Sequence, residues 1–334
     1  MYADLAETAS DLSYRKSGKV ACEVEISGQT VMKSVRGIEK LKLEKLPENK
    51  KVNDILYVEA DEDHIALQSG KSGMPRLVYV HEGMTMESGR RGLKSAYYLA
   101  NLKGKPCDLW HEVYEYIEDN YEVDKIKQIY LSGDGAAWIR QGMNYLPRVK
   151  FVLDKYHMNK YVTKATAHKQ EYAIKIWDCL KEADLDELGL VFNDLHMATE
   201  NESKHKEIKE SWEYFKNNWD GIKVQEEESE RIVGCSAEGH NSHILAARMS
   251  SRPMGWSKDG ADKMARLRAF KANKGKVIDF IRAQKKEKKL YNITQKLMKE
   301  TKQSLKSKSN ERVCNIEVFK IGKITGLYRA LKSI

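Results

Sequence analysis

Proline and cysteine are both scarce in this 334-residue chain, with five of each. So few prolines exclude a collagen-like or proline-rich linker architecture. Cys22, Cys107, Cys179, Cys235 and Cys314 are odd in number, scattered, and without a Cys-x-x-Cys pair. That pattern argues against a disulfide framework and for a reducing, cytoplasmic setting. Long apolar runs are missing as well: none approaches the ~18–20 residues that a bilayer-spanning helix needs, so no membrane partner is expected. The opening residues MYADLAETAS carry Asp4 and Glu7 and have no apolar centre, so they do not read as a secretory signal.

What is present is 41% hydrophobic and 32% charged residues. This is the balance of a globular chain, long enough to bury a core without staples and sufficient for one large or two to three small domains. The charge is unevenly spread. The whole chain is +9, yet Lys271 to Ile334 holds 18 basic and 5 acidic residues and is +13, which leaves the remainder at −4. A basic tail on a mildly acidic body suits a polyanion such as nucleic acid, or equally a solvated helical face.

Residues 10–46 read as short helices. SYRKSGKVACEV, a turn at Gly28, and a second helix opening Gln29-Thr30-Val31 follow the helix-turn-helix pattern. Val20, Val24, Ile26, Val31 and Val35 are its expected core, and Gln29, Thr30, Lys33 and Arg36 its groove-facing side. A linker follows at Pro47 to Asn53. Strands are expected at Ile55–Leu67, Arg76–His81, Ser95–Leu102, Ile126–Leu131 and Val149–Leu153, where β-branched and aromatic residues are bounded by turn formers. CDLWHEVYEYIEDNY, with Leu109, Val113, Tyr116 and Ile117 at helical spacing, falls between the third and fourth strands. A short helix around Trp138 separates the last two. Three meandering strands, then helix-linked strands, is the order of an RNase H-like α/β domain, although other α/β folds begin the same way. Lys155 to about Arg231 reads as helical, and residues 258–306 as helical and Lys-rich.

Three aspartates stand on strands or where strands and loops end: Asp61 on the first long strand between Ala60 and Glu62, Asp134 closing the fourth inside Gly-Asp-Gly, and Asp154 closing the fifth. A carboxylate at the end of a buried strand must be solvated, paired or metal-bound. Mg²⁺ takes such oxygen ligands, and two metals can clamp a transferring phosphoryl group. Asp is also an ordinary turn starter. The glycines beside Asp134 would let the backbone approach a ligand closely. Asp154-Lys-Tyr-His157 could bracket a water or phosphate, or could simply begin a helix with Asp154 as its N-cap. Cys235, His240 and His243 have ligand types suited to zinc but lack a second ligand pair. Glu238, on an expected helix from Glu238 to Met249, could supply a third carboxylate instead. Arg248 and Arg252, with Ser250 and Ser251, suit phosphate contacts.

The runs YVEADEDHIALQ, VYVHEG, LSGDGAAWI, FVLDKYHMNKY and GCSAEGHNSHILAARMSSRPMGWS together resemble the ISLre-two group of bacterial insertion-sequence transposases, which are DDE-type enzymes related to the Mutator class. The likeness runs from about Ser10 to the C-terminus. It implies an RNase H-like domain (residues 51–168 and 232–257) interrupted by an all-helical insertion (169–231), preceded by a partial helix-turn-helix region (1–50) and followed by a basic helical tail (258–334). It implies that Asp61, Asp134 and Glu238 hold two Mg²⁺ or Mn²⁺ ions, with Asp63 an alternative to Asp61, and that Asp154 and His157 match the C/D-x-x-H motif. DNA binding is expected from Gln29, Thr30, Lys33, Arg36, Arg248 and Arg252. The implied activity is cleavage and strand transfer of an insertion sequence in a bacterial, nucleoid-associated setting. The implied partners are the element's terminal inverted repeats, target DNA, and further copies of the chain in a synaptic complex. Such proteins carry an additional region before the helix-turn-helix, so a truncated or repurposed DNA-binding remnant without catalysis is the rival expectation.

Overall fold

The computed structural model describes residues 1–38, 41, 49–87, 89–282 and 299. The chain divides into two units, Met1–Val277 and Ile278–Ile334, and the fold below is that of the first. Most of the expected basic tail lies outside the described residues.

Three short helices come first: α1 (Tyr2–Ala9), α2 (Tyr14–Val20) and α3 (Gly28–Arg36). Gly28 is not the turn. Ser27 caps α3 by accepting from the Thr30 amide at 3.2 Å, so Gly28 is already helical. The tight spot is Gly18, where a Cβ would stand 1.9 Å from the Ile26 carbonyl oxygen. The expected core is also redrawn. Val31 and Val35 are buried, but Val20 and Val24 are 68% and 71% exposed. Leu5, Ala6 and Ala9 of α1 are buried in their place, because α1 packs against α3.

Seven strands follow: β1 (Ile55–Glu62), β2 (Ile65–Ala66), β3 (Ser72–Gly73), β4 (Arg76–His81), β5 (Met84–Glu87), β6 (Arg90–Leu93) and β7 (Tyr97–Asn101). The expected long first strand therefore stops at Glu62, and β2 pairs separately with β3. The β5–β6 hairpin had no clear alternation in sequence. Next come α4 (Pro106–Asn120), β8 (Gln128–Gly133), α5 (Ala137–Arg140) and β9 (Val149–Leu153). In α4, Pro106 sits in the first turn, where its missing N–H costs nothing. Leu109, Trp110, Val113 and Ile117 form its buried stripe. Five helices succeed one another: α6 (Lys155–Thr166), α7 (Glu171–Glu182), α8 (Leu185–Met197), α9 (Glu202–Asn217) and α10 (Trp219–Glu227). The first unit closes with α11 (Ala237–Asn241), a π-helical stretch (Ser242–Ala246), α12 (Ala247–Met249) and α13 (Lys258–Ala272).

The architecture is mixed α/β. One five-stranded sheet has the order β7-β4-β1-β8-β9. The β7, β4 and β1 pairings are antiparallel, whereas β1, β8 and β9 run parallel. Strand β1 is buried on both faces, as the centre of such a sheet must be. Leu56, Val58 and Ala60 face the main core with α4, while Tyr57 meets Tyr130 and Val152 on the other side. The helices between β9 and α11 share that main core, since Ile176, Leu188, Phe192, Phe215 and Ile222 are continuous with Phe151 and Leu153. Both sheet edges are covered, which removes the open ladders that invite mispairing. Helix α10 lies against β9. At the other edge, the Asn273 side chain pairs with the Tyr98 backbone, accepting from its N–H at 2.7 Å and donating to its carbonyl at 2.8 Å. Asp262 of α13 accepts from the Leu102 and Lys103 amides, each at 2.8 Å. Residues 258–272, expected as the start of a tail, are thus built into the first unit.

Candidate functional site

Register brings the three aspartates together. Strand β1 pairs with β8 at a constant offset of 73 residues, as in Tyr57 against Tyr130. Asp61 and Asp134 keep that offset. Strand β8 pairs with β9 at an offset of 20, as in Ser132 against Val152, and Asp134 and Asp154 keep that one. The three aspartates therefore stand at the C-terminal ends of the parallel strands, near enough that all three charges act on His157. In open α/β sheets that edge is where ligands bind.

Each member is held differently. Asp61 is 8% exposed. Its Oδ1 accepts from the Glu62 amide at 2.8 Å and its Oδ2 from the Asn241 side chain at 2.9 Å. Burial pushes its carboxyl up to about 6 despite those bonds, and the nearby charge of Glu238 pushes the same way. Asp134 closes a tight turn by accepting from the Ala136 amide at 2.8 Å. Asp154 caps α6 by accepting from the Tyr156 amide at 3.0 Å, and its other oxygen meets His157 Nδ1 at 3.0 Å. Both roles considered for Asp154 from sequence, cap and partner of His157, are thus played by one carboxylate. Burial lowers the His157 pKa, but the bond and charge of Asp154, with the charges of Asp134 and Asp61, outweigh it and hold the ring above its ordinary value.

The glycines of Gly-Asp-Gly serve protein contacts. A Cβ on Gly133 would stand 2.9 Å from Ile139 and 3.1 Å from the Ala60 carbonyl oxygen. Gly135 has φ +90°, and a Cβ there would meet Asn218 Oδ1 at 2.1 Å. Asn218 joins α9 to α10, so the helical segment presses directly on the Asp134 turn. Tyr214 of α9 adds a hydrogen bond from its hydroxyl to the Asp134 carbonyl at 2.9 Å. Arg140 binds both Asp220 oxygens at 2.8 and 2.9 Å and Asn218 Oδ1 at 3.0 Å.

Glu238 is exposed in the first turn of α11. The expected helix from Glu238 to Met249 is present but contains the π-helical stretch Ser242–Ala246, a feature frequent at functional sites. One turn beyond Glu238, Asn241 reaches Asp61. Asp63 lies past the end of β1; its Oδ1 accepts from the His64 amide at 2.8 Å, and its buried Oδ2 has no partner. Among the described residues no three His, Cys, Asp or Glu side chains are gathered round one point as a bound metal requires. That holds for Cys235, His240 and His243: the His240 ring packs on Tyr79 and Tyr98, and His243 is exposed. It holds equally for Asp61, Asp134 and Glu238, which share one electrostatic field but stand apart in this conformation. Their chemistry nevertheless suits a hard cation, being all oxygen donors. Asp61 is buried with like charge beside it, and a cation would relieve both penalties.

Several residues of this region were not singled out in sequence. Glu62, burdened by burial and by the charge of Asp134, has a raised carboxyl pKa. Asn241 carried no signal beyond its polarity. Glu59 is 1% exposed and His81 is fully buried. Glu59 stands two residues before Asp61, so period-two alternation could have put both on one face.

Of the expected DNA-facing residues, Gln29, Lys33 and Arg36 are exposed on α3, and Thr30 is half-buried against Ser27 Oγ at 3.0 Å. Arg36 also donates to Ser257 Oγ. Arg252 is exposed. Arg248 is 5% exposed; it donates to the Ala9 carbonyl at 2.9 Å and lies against the Tyr14 and Trp256 rings. In this conformation its guanidinium ties α12 to α1 and does not face solvent.

Fold and site define an α/β protein with three aspartates at the C-terminal edge of its parallel strands. The chain belongs to UPF0236, an uncharacterised protein family, whose profile matches residues 1–289. A UPF0236 protein of Caldanaerobacter subterraneus subsp. tengcongensis with four locus names is 44% identical over 332 residues, which is 99% of this chain and 71% of the relative. Another from that organism, with eleven locus names, is 43% identical over 99% of this chain and 71% of its own length. A Streptococcus gallolyticus protein named for the vanSb 3′ region is 23% identical over 227 residues, 66% of this chain and 50% of that protein. Members of the family thus recur many times within a single genome. No helix among the described residues is long and apolar enough to cross a membrane.

Proposed function

We propose that the chain is a DDE-type DNA transposase with an RNase H-like catalytic domain, of the kind found in ISLre-two insertion sequences. The observation that carries this reading is the acidic edge of the sheet. Asp61 near the end of β1 and Asp134 just past the end of β8 stand on adjacent parallel strands, and α11, which follows the helical segment in the chain, carries Glu238 near Asp61. The eleven locus names of one relative add support, since high copy number within a genome is what a mobile element produces.

Asp61, Asp134 and Glu238 would hold two Mg²⁺ or Mn²⁺ ions. Bound there, the ions would neutralise charge at phosphorus and activate first water and then a 3′-hydroxyl for in-line displacement. The residues themselves supply position and charge. Asn241 and the Glu62 amide hold Asp61, and the Ala136 amide holds Asp134, so these two carboxylates are already oriented, and drawing the set of three together is left to metal binding. Asp154 orients His157 through Nδ1 and holds the ring in its protonated form more readily, leaving Nε2–H available to a phosphate oxygen. The helical segment, through Asn218 and Tyr214, keeps the Asp134 turn in place. Gln29, Lys33 and Arg36 present a polar face to DNA, where phosphate contacts would dominate affinity and make it salt-dependent. Terminal repeats, target DNA and a second copy of the chain would be the partners.

The deciding experiment is cleavage of the DNA flanking the gene with Mn²⁺ or Mg²⁺, comparing wild type with Asp134→Ala. Cleavage by wild type alone supports the reading. DNA binding without cleavage in wild type refutes it in favour of a repurposed DNA-binding remnant.

A further inference from the structure

Glu59 is a buried carboxylate that the transposase mechanism does not use, and its contacts are unusually complete. It lies on β1 at 1% exposure, on the same face of the pleat as Asp61. Its Oε1 meets His81 Nε2 at 2.9 Å. Facing a carboxylate oxygen, Nε2 is the nitrogen that donates to Glu59, while Nδ1 lies 3.1 Å from the Gly83 amide and 3.2 Å from the Gly83 carbonyl oxygen. Its Oε2 accepts from the Ser236 amide at 2.6 Å, from Ser236 Oγ at 3.2 Å, and from the Tyr79 hydroxyl. Tyr79 is the direct cross-strand neighbour of Glu59 on β4, and His81 faces Tyr57. Four donors thus surround one carboxylate, which is the arrangement that makes a buried charge tolerable.

Ser236 immediately precedes α11, the helix that carries Glu238. The far end of that helix is fastened by Asn241 to Asp61. The two attachments match in length. Glu59 and Asp61 are two residues apart on a strand, or roughly 7 Å. Ser236 and Asn241 are five residues apart on a helix, or roughly 7.5 Å. Alternate residues of β1 therefore grip both ends of α11 and lay it along the strand, with Glu238 between the two grips.

We propose that Glu59 is a positioning residue, held by His81 and Tyr79, which anchors Ser236 so that α11 presents Glu238 to Asp61 at a fixed separation. The anchoring stands on the contacts themselves. Its service to metal binding rests on the transposase reading.

Two measurements separate these claims. The first is amide hydrogen exchange without metal, in wild type, Glu59→Gln and Tyr79→Phe. Glu59→Gln puts an NH₂ where an oxygen accepts, and Tyr79→Phe removes one donor while keeping the ring. Amides of residues 237–246 are expected to exchange at least ~10-fold faster in Glu59→Gln and a few-fold faster in Tyr79→Phe, with β1, β4 and β8 still protected. Unchanged exchange at 237–246 in a folded Glu59→Gln overturns the proposal. If Glu59→Gln does not fold, unchanged exchange in Tyr79→Phe overturns it. The second is Mn²⁺ titration of the same proteins, where the dissociation constant is expected to rise about 10-fold in Glu59→Gln while DNA affinity stays constant. A merely structural role would leave Mn²⁺ affinity in place, and that result overturns the positioning role. If wild type binds no Mn²⁺, the transposase reading falls, and the exchange experiment still decides the anchor.

Discussion

Replacing Asp61 by Asn should make the metal-free protein more stable while abolishing the metal binding and DNA cleavage proposed for it. Asp61 carries its proton up to a pH of about 6, first because it is buried and then because Glu238 is close. The unfolded chain releases that proton near its ordinary value of 3.8. The folded state is thus favoured below pH 3.8 and loses that advantage as pH rises through 6. A displacement of about two units corresponds to about 3 kcal/mol at pH 8, of which roughly half arises between pH 5 and pH 8. Asp61→Asn abolishes the ionisation. One hydrogen bond is disturbed, at Asn241, but the Asn241 Oδ1 is buried without a partner and can accept from the new amide once the Asn241 side chain turns over. That rearrangement costs about 1 kcal/mol. The variant should therefore exceed wild type by about 2 kcal/mol at pH 8, and most of that gap should be gone at pH 5. Urea denaturation at both pH values measures this. Saturating Mn²⁺, at about 100 times its dissociation constant, should add about 2.7 kcal/mol to wild type and nothing to the variant. A variant less stable than wild type at pH 8, or a gap that ignores pH, refutes the view that Asp61 is a strained carboxylate awaiting a cation.

Asp134→Asn keeps an oxygen for the Ala136 amide, so it should fold normally, bind DNA like wild type in a mobility-shift assay, and cleave none; lost DNA binding would remove Asp134 from the catalytic role. Gly135→Ala forces a side chain into a left-handed φ and against Asn218, and should cost upwards of about 2 kcal/mol in urea melts; a neutral result would mean that the α9–α10 junction does not brace the Asp134 turn. Truncation after Val277 should leave the first unit folded and lower the slope of DNA affinity against salt, whereas truncation after Lys258 removes the buried face of α13 and should abolish cooperative unfolding. An unchanged salt slope in the chain ending at Val277 would remove the basic tail from the DNA interface.

The alternation of strands and helices is written in local patterns, because period-two and period-3.6 spacings need only neighbouring residues. The five strands of the main sheet, the helical stretch from 155 to about 231 and the helix bearing Glu238 were all legible in that way. So were Asp134 and Asp154 as strand-end acids, since a charge closing an apolar run stands out, whereas Asp61 falls inside a strand expected to run to Leu67 and the end of β1 at Glu62 is set by the fold. The first helices were read less well. Gly28 is a turn former by type, but the Ser27 cap makes it helical, and Val20 and Val24 are core candidates by type because nothing local announces that α1 covers α3 instead.

Tertiary structure alone decided the rest, because register, edge covering and long-range hydrogen bonds depend on residues far apart in the chain. The offsets of 73 and 20 residues that align the aspartates belong to the strand pairing. Asn241 meets Asp61 across 180 positions, and Ser236 meets Glu59 across 177. Arg248, charged and closely followed by Ser250 and Ser251, had every local mark of a surface residue, yet Ala9, Tyr14 and Trp256 enclose it. Burial is a property of what packs on a side chain, and no window of sequence around that side chain contains it.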